Sequence, residues 1–162
     1  MDIDLSFITD NYFTASVEAY IKQLLKINKE LKGILLFGSL AKGEAVFSEK
    51  KASDVDLFVI FSDNELPQNH IDRINKKIEL MDSKGLGFDT LWVTETEFKN
   101  YVKIKADIIL SALYKGKILF DPIGLIKEQK QKLFEELKNK GVIKRKNYWI
   151  WPIKHLGDEI KW

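Results

Sequence analysis

Apolar and polar positions follow two rhythms along this chain, and the switches between them divide it. Phe13, Val17, Tyr20, Ile21, Leu24 and Leu25 recur at helical spacing, which predicts an amphipathic helix over about 10–30. Gly33 ends it. Ile34-Leu35-Leu36-Phe37 is a short continuous apolar run, the pattern of a strand buried on both faces. A polar loop over 38–53 follows, and Val55 to Phe61 is a second buried-strand candidate. Asn64 and Pro67 suit a helix start, and Ile71, Ile74, Ile78 and Met81 give that helix an apolar stripe. Gly85 and Gly87 break it. Phe88 to Val93 predicts a third strand. Thr94 and Glu97 have capping-box spacing for one helix that continues through Phe98, Tyr101, Ile104 and Ile108. After Gly116, Ile118-Leu119-Phe120 predicts a short fourth strand closed by Asp121-Pro122. A last helix over about 124–139 carries Leu125, Ile126, Leu133 and Leu137, with Gly141 as its C′ residue. The order implies an α/β domain with helices covering a mixed sheet of four to five strands. The connection from 37 to 54 fits either a long hairpin loop or a crossover.

Composition narrows the chemistry. The chain has 162 residues, the size of one domain with a single sizeable core. It has no cysteine, which excludes disulfides, thiolate metal sites and a cysteine nucleophile. No apolar run is long enough to span a bilayer, and the acidic N-terminus lacks a signal-peptide pattern, so the expected location is cytoplasmic with no membrane partner. Net charge is only +2, and Arg73 and Arg145 are the only arginines. Any grip on phosphate therefore relies on lysine, backbone N–H groups and metal rather than on arginine forks.

Two stretches carry candidate chemistry. In Phe37-Gly38-Ser39-Leu40-Ala41-Lys42-Gly43 a buried strand runs straight into a glycine and a serine, where exposed N–H groups and a hydroxyl can cradle phosphate oxygens. In Ser53-Asp54-Val55-Asp56-Leu57, strand alternation puts Asp54 and Asp56 on one face among apolar neighbours. Two such carboxylates repel unless a cation lies between them, and Mg²⁺ suits that role. Asp89, in the otherwise apolar run Phe88 to Val93, completes a three-carboxylate cluster if its strand lies beside 55–61. His70 and His155 have no partner at metal-ligand spacing, and Asp107 is read on an exposed helix face.

Gly38-Ser39, then Asp54-x-Asp56, then a lone Asp89 on a later strand together resemble the DNA polymerase β-like nucleotidyltransferase superfamily. The wording of both stretches is most similar to its small prokaryotic, minimal members. The resemblance implies a single nucleotidyltransferase-fold domain over 1–141, with its motif core at 33–93. It implies a Mg²⁺-dependent transfer of a nucleoside monophosphate, AMP favoured, from an NTP such as ATP to an acceptor hydroxyl, with release of pyrophosphate. Carried over, Gly38 and Ser39 hold the β,γ-phosphates and Lys42 supports the triphosphate. Asp54 and Asp56 bind two metal ions, and Asp89 binds the catalytic metal and helps deprotonate the acceptor. The alternative is an antitoxin-like or regulatory nucleotide-binding module that binds or adenylylates a HEPN-type helical partner. Two departures stand out. The spacing from Ser39 to Asp54 is long, with a charged excess around 47–51 expected as a protruding loop, and Leu40 stands where many small members have arginine. The extension over 142–162 combines Lys144, Arg145 and Lys146 with Tyr148, Trp149 and Trp151. It is read as a tail or hairpin, bounded by Pro152 and Gly157, that docks on the domain or forms a homodimer contact. Single-stranded nucleic acid is the other reading of that mixture.

Overall fold

The structure is a computed structural model and describes residues 3–48, 51–80, 87–146, 148–153 and 155. A four-stranded sheet forms its centre. Strands β1 (Gly33–Phe37), β4 (Val55–Phe61), β5 (Phe88–Thr94) and β6 (Lys117–Phe120) lie in the order β5-β4-β1-β6. β1 is antiparallel to both β4 and β6, whereas β4 and β5 are parallel, so the sheet is mixed. The antiparallel β1–β4 pair makes the connection over 38–54 a long hairpin rather than a crossover.

Central strands read as continuous apolar runs because both faces are covered. On one face lies α1 (Asn11–Ile27), capped by the Asp10 carboxylate, which accepts from the Tyr12 N–H at 2.8 Å. Its Phe13, Val17, Ile21 and Leu24 pack against Leu36, Leu57, Val59 and Phe61. On the other face, α4 (Glu95–Lys103), α5 (Asp107–Lys115) and α6 (Leu125–Asn139) bring Phe98, Ile109, Leu113, Ile126 and Leu133 against Leu35, Phe58 and Ile60. Each such fully buried side chain contributes roughly 1.5–3 kcal/mol.

Three expectations are corrected. The single helix expected from Thr94 to Ile108 is two, because Lys105 takes φ 54° and turns the chain between them. The Lys105 side chain is buried there and pairs with Glu136 at 2.9 Å, which holds the unusual conformation. The stripe Ile71, Ile74 and Ile78 on α3 (His70–Leu80) faces solvent rather than a core. The opposite face carries Arg73 and Lys77, whose head groups donate to carbonyls on the outer edge of β5. The 38–53 loop is partly ordered: α2 (Gly38–Ala41) opens it and a small ribbon of β2 (Phe47–Ser48) and β3 (Lys51–Ala52) follows. Phe47 anchors that ribbon by stacking on Tyr12 at 4.3 Å. Asp121 is more than a turn residue, because its carboxylate accepts from the Ile126 and Lys127 N–H groups and caps α6. The C-terminal ribbon pairs β7 (Ile143–Lys144) with β8 (Trp149–Ile150). Met81, Gly85, Glu49, Lys50, Gly157 and Trp162 lie outside the described residues.

Candidate active site

β1 delivers its chain end to α2 through Gly38, at φ 70°. A β-carbon there would lie 1.8 Å from the Asp56 carboxylate, so only glycine lets the backbone pass so close. Leu40 and Ala41 are buried and pin the short helix to the core, which leaves Gly38 and Ser39 half-exposed at its start. The Ser39 carbonyl accepts from Lys42 and Glu44 N–H groups at 3.1 and 2.9 Å, closing the turn. Lys42 itself is exposed.

Asp56 is the hub. In the sheet register it pairs with Phe37 on one side and with Asp89 on the other. Alternation places it on the Phe58 and Ile60 side of β4, the face covered by α4–α6. Asp54 lies two residues earlier, at the mouth of the strand. Asp54 and Asp89 are exposed and Asp56 is half-buried, so the expense anticipated for Asp89 inside an apolar strand does not arise. Burial, followed by the charges of Asp89 and Asp54, pushes the Asp56 carboxyl above its ordinary range, and Lys42 pulls it back. Among the described residues none of the three acids has an ion pair or side-chain hydrogen bond that would relieve this repulsion.

Two neighbours escaped the sequence reading. Gly87 registers in the sequence as a helix breaker, yet a β-carbon on it would lie 2.2 Å from the Asp54 carboxylate. Its carbonyl also accepts from the Val55 N–H at 2.8 Å. Its one sequence signal is its position directly ahead of the Phe88-Asp89 strand. Lys77, on α3, donates to the Thr90 carbonyl at 2.8 Å and lies close enough to Asp89 to feel its charge. Burial lowers the Lys77 pKa, and Asp89 opposes that shift.

This donor set is all oxygen, anionic and repulsive, which is the chemistry a hard divalent cation neutralises. Among the described residues no three His, Cys, Asp or Glu side chains close into a ready cage. A cavity of about 520 Å³ lies elsewhere, between α3, β5 and α4, and none of the three acids lines it. No helix among the described residues is long and apolar enough to cross a membrane.

Comparison with known proteins agrees with the sequence resemblance. Residues 19–123 match the family model described as polymerase beta, nucleotidyltransferase. A protein of Methanocaldococcus jannaschii named as a candidate protein adenylyltransferase is 34% identical over 93 residues, covering 54% of this chain and 84% of the relative. Among solved structures, a candidate nucleotidyltransferase from Sulfolobus solfataricus superposes with a TM-score of 0.46 at 17% identity, over 67% of this chain and 79% of that one. A chain from the complex of tri-AMPylated Shewanella oneidensis HEPN toxin with MNT antitoxin gives 0.46 at 16% identity, over 78% and 87%.

Proposed function

This chain belongs to the polymerase beta nucleotidyltransferase family, and from that premise we propose that it moves AMP from ATP to a hydroxyl group of a protein. The observation that carries the reading is Asp56, held between the Gly38 turn and Asp89 with no ion pair among the described residues. The protein acceptor rests on the name of the Methanocaldococcus relative. Among protein acceptors, a hydroxyl of a HEPN-type helical partner is the first to try.

Asp54, Asp56 and Asp89 are the residues that would hold Mg²⁺. When bound, Mg²⁺ supplies positive charge to the phosphate oxygens. The chain does the rest. Gly38 and Ser39 receive the β,γ-phosphates through backbone N–H groups and the serine hydroxyl, and Lys42 adds a point charge beside them. Asp89, exposed at the start of its strand, is open to the acceptor and accepts its hydroxyl proton. The acceptor oxygen bonds to the α-phosphorus, the bond from that phosphorus to the bridging oxygen breaks, and its electron pair leaves on pyrophosphate.

The test uses ATP labelled at either the α- or the γ-phosphate, with Mg²⁺, the intact protein and a cell extract. Label from the α-position on a protein band, and none from the γ-position, is the expected result. Label from the γ-position, or on a small molecule alone, contradicts the assignment.

A further inference from the structure

Positive charge collects at one place beside the carboxylate cluster. A cavity of about 230 Å³ is walled by Lys42, Lys115, Lys144 and Lys146, with Tyr114 between them and Glu44 the acid on its described wall. Among the described residues none of these four ammonium groups has a carboxylate at ion-pair distance. Like charges gathered in this way raise the energy of the empty cavity and favour an anion in it.

The fold builds this cavity from three separate segments. Trp149 on β8 packs against Tyr114 at 5.4 Å and Phe134 at 6.0 Å, which seats the C-terminal ribbon on α5 and α6. Lys144, paired with Trp149 across the ribbon, lies 5.1 Å from the Trp149 ring and 5.6 Å from that of Tyr114. Lys115 ends α5, and the next residue, Gly116, is pressed so close to β1 that a β-carbon would lie 2.7 Å from the Leu36 carbonyl oxygen. The cavity therefore lies near the end of β1, and Lys42 and Glu44 of its wall follow the Gly38-Ser39 turn in sequence. Lys42 belongs to both places, since it lines the cavity and its charge reaches Asp56.

We propose that the distal phosphates of the nucleotide donor extend from the Gly38-Ser39 cradle past Lys42 into this cavity, with Lys115, Lys144 and Lys146 as the residues that recognise the triphosphate end. The proposal rests on the transferase reading and adds the C-terminal ribbon to its donor site. The reacting α-phosphate belongs at the carboxylates. The phosphates beyond it are repelled by those same acids and drawn toward Lys42 and the lysines behind it. The cavity is smaller than the roughly 300–1,000 Å³ of a site for a whole drug-sized ligand, so it suits a compact anion rather than a nucleoside. When the α-phosphorus–oxygen bond breaks, its electron pair stays on pyrophosphate. Charge at this end then rises, so lysines placed there stabilise the transition state more than bound ATP.

The experiment is calorimetric titration of the intact protein with inorganic tripolyphosphate, with and without ATP. Lys115→Gln/Lys144→Gln/Lys146→Gln is compared with wild type, and Lys115→Gln/Lys146→Gln keeps the Lys144 contacts with the rings should the triple variant misfold. Wild type is expected to bind tripolyphosphate in competition with ATP and more weakly at high salt. Both variants are expected to bind it about tenfold more weakly or worse. No binding by wild type, equal binding by folded variants, or binding that does not compete with ATP overturns the proposal. Failure of the transferase reading shows separately, as wild type that moves no AMP from ATP whatever its affinity for tripolyphosphate.

Discussion

Asp56 ties the chemistry of the site to the stability of the fold. Its folded pKa is raised by burial, by Asp89 and by Asp54. A carboxyl whose folded pKa exceeds its unfolded value binds its proton more tightly when folded. Its contribution to stability is therefore present at pH below the ordinary carboxylate range and is lost as pH rises through the raised value. At neutral pH the ionised group is a net cost unless a cation neutralises it. Asp56→Asn is accordingly expected to melt higher than wild type at pH 7 in chelator, by roughly 1–3 °C, with the gap closing as pH falls. Thermal scans across pH check this, and a lower Tm for the variant contradicts it. Gly38 is as constrained. Gly38→Ala forces a side chain onto the Asp56 carboxylate at a positive φ, so it is expected to reduce Mg·ATP binding severely, measured by titration. Wild-type affinity in that variant would count against the close approach.

At the scale of elements, one arginine joins three of them. Arg73 on α3 donates to the Pro67 carbonyl through Nε and Nη2, to the Trp92 carbonyl on β5, and through both terminal nitrogens to Glu97 on α4 at 2.8 and 3.0 Å. Glu97 also completes the capping box with Thr94. With Lys77 on the Thr90 carbonyl, this covers the outer edge of β5, where unpaired strand groups would otherwise invite another chain. Arg73→Lys loses the fork and is expected to cost about 1–3 kcal/mol in denaturant unfolding. Thr94→Ala is expected to cost about 1 kcal/mol. The double variant should fall short of the sum, because both changes act through Glu97. Strict additivity would refute the shared hub. These elements also show where a sequence is readable. The core strands were legible because burial on both faces leaves a continuous apolar run, and Thr94 with Glu97 gave the cap its spacing. The outward Ile71, Ile74 and Ile78 stripe was not legible, because helical spacing does not say which side a sheet edge occupies. The break at Lys105 was hidden because Tyr101, Ile104 and Ile108 keep helical rhythm across it. The role of Arg73 depended on a partner 24 residues away.

At the scale of the molecule, the site exists because topology brings three chain segments to one end of the sheet. β1 ends at Phe37, just before Gly38, beside β4, which begins near Asp54, and the parallel crossover through α3 sets Asp89 against Asp56. The sequence supplied the residue types and the Asp54–Asp56 pairing. It could not supply the Asp56–Asp89 register, or the approach of Gly87 to Asp54, because both follow from the crossover. The C-terminal ribbon belongs to the same picture, since Trp149 seats it where Lys144 and Lys146 share a cavity wall with Lys42. The central claim is that this junction is the catalytic centre, and the most direct measurement is pyrophosphate release from Mg·ATP, with acceptor, by wild type and Asp56→Asn. Release by wild type that falls about 100-fold or more in a variant with an undiminished Tm is the predicted result. Equal release from the folded variant would contradict it.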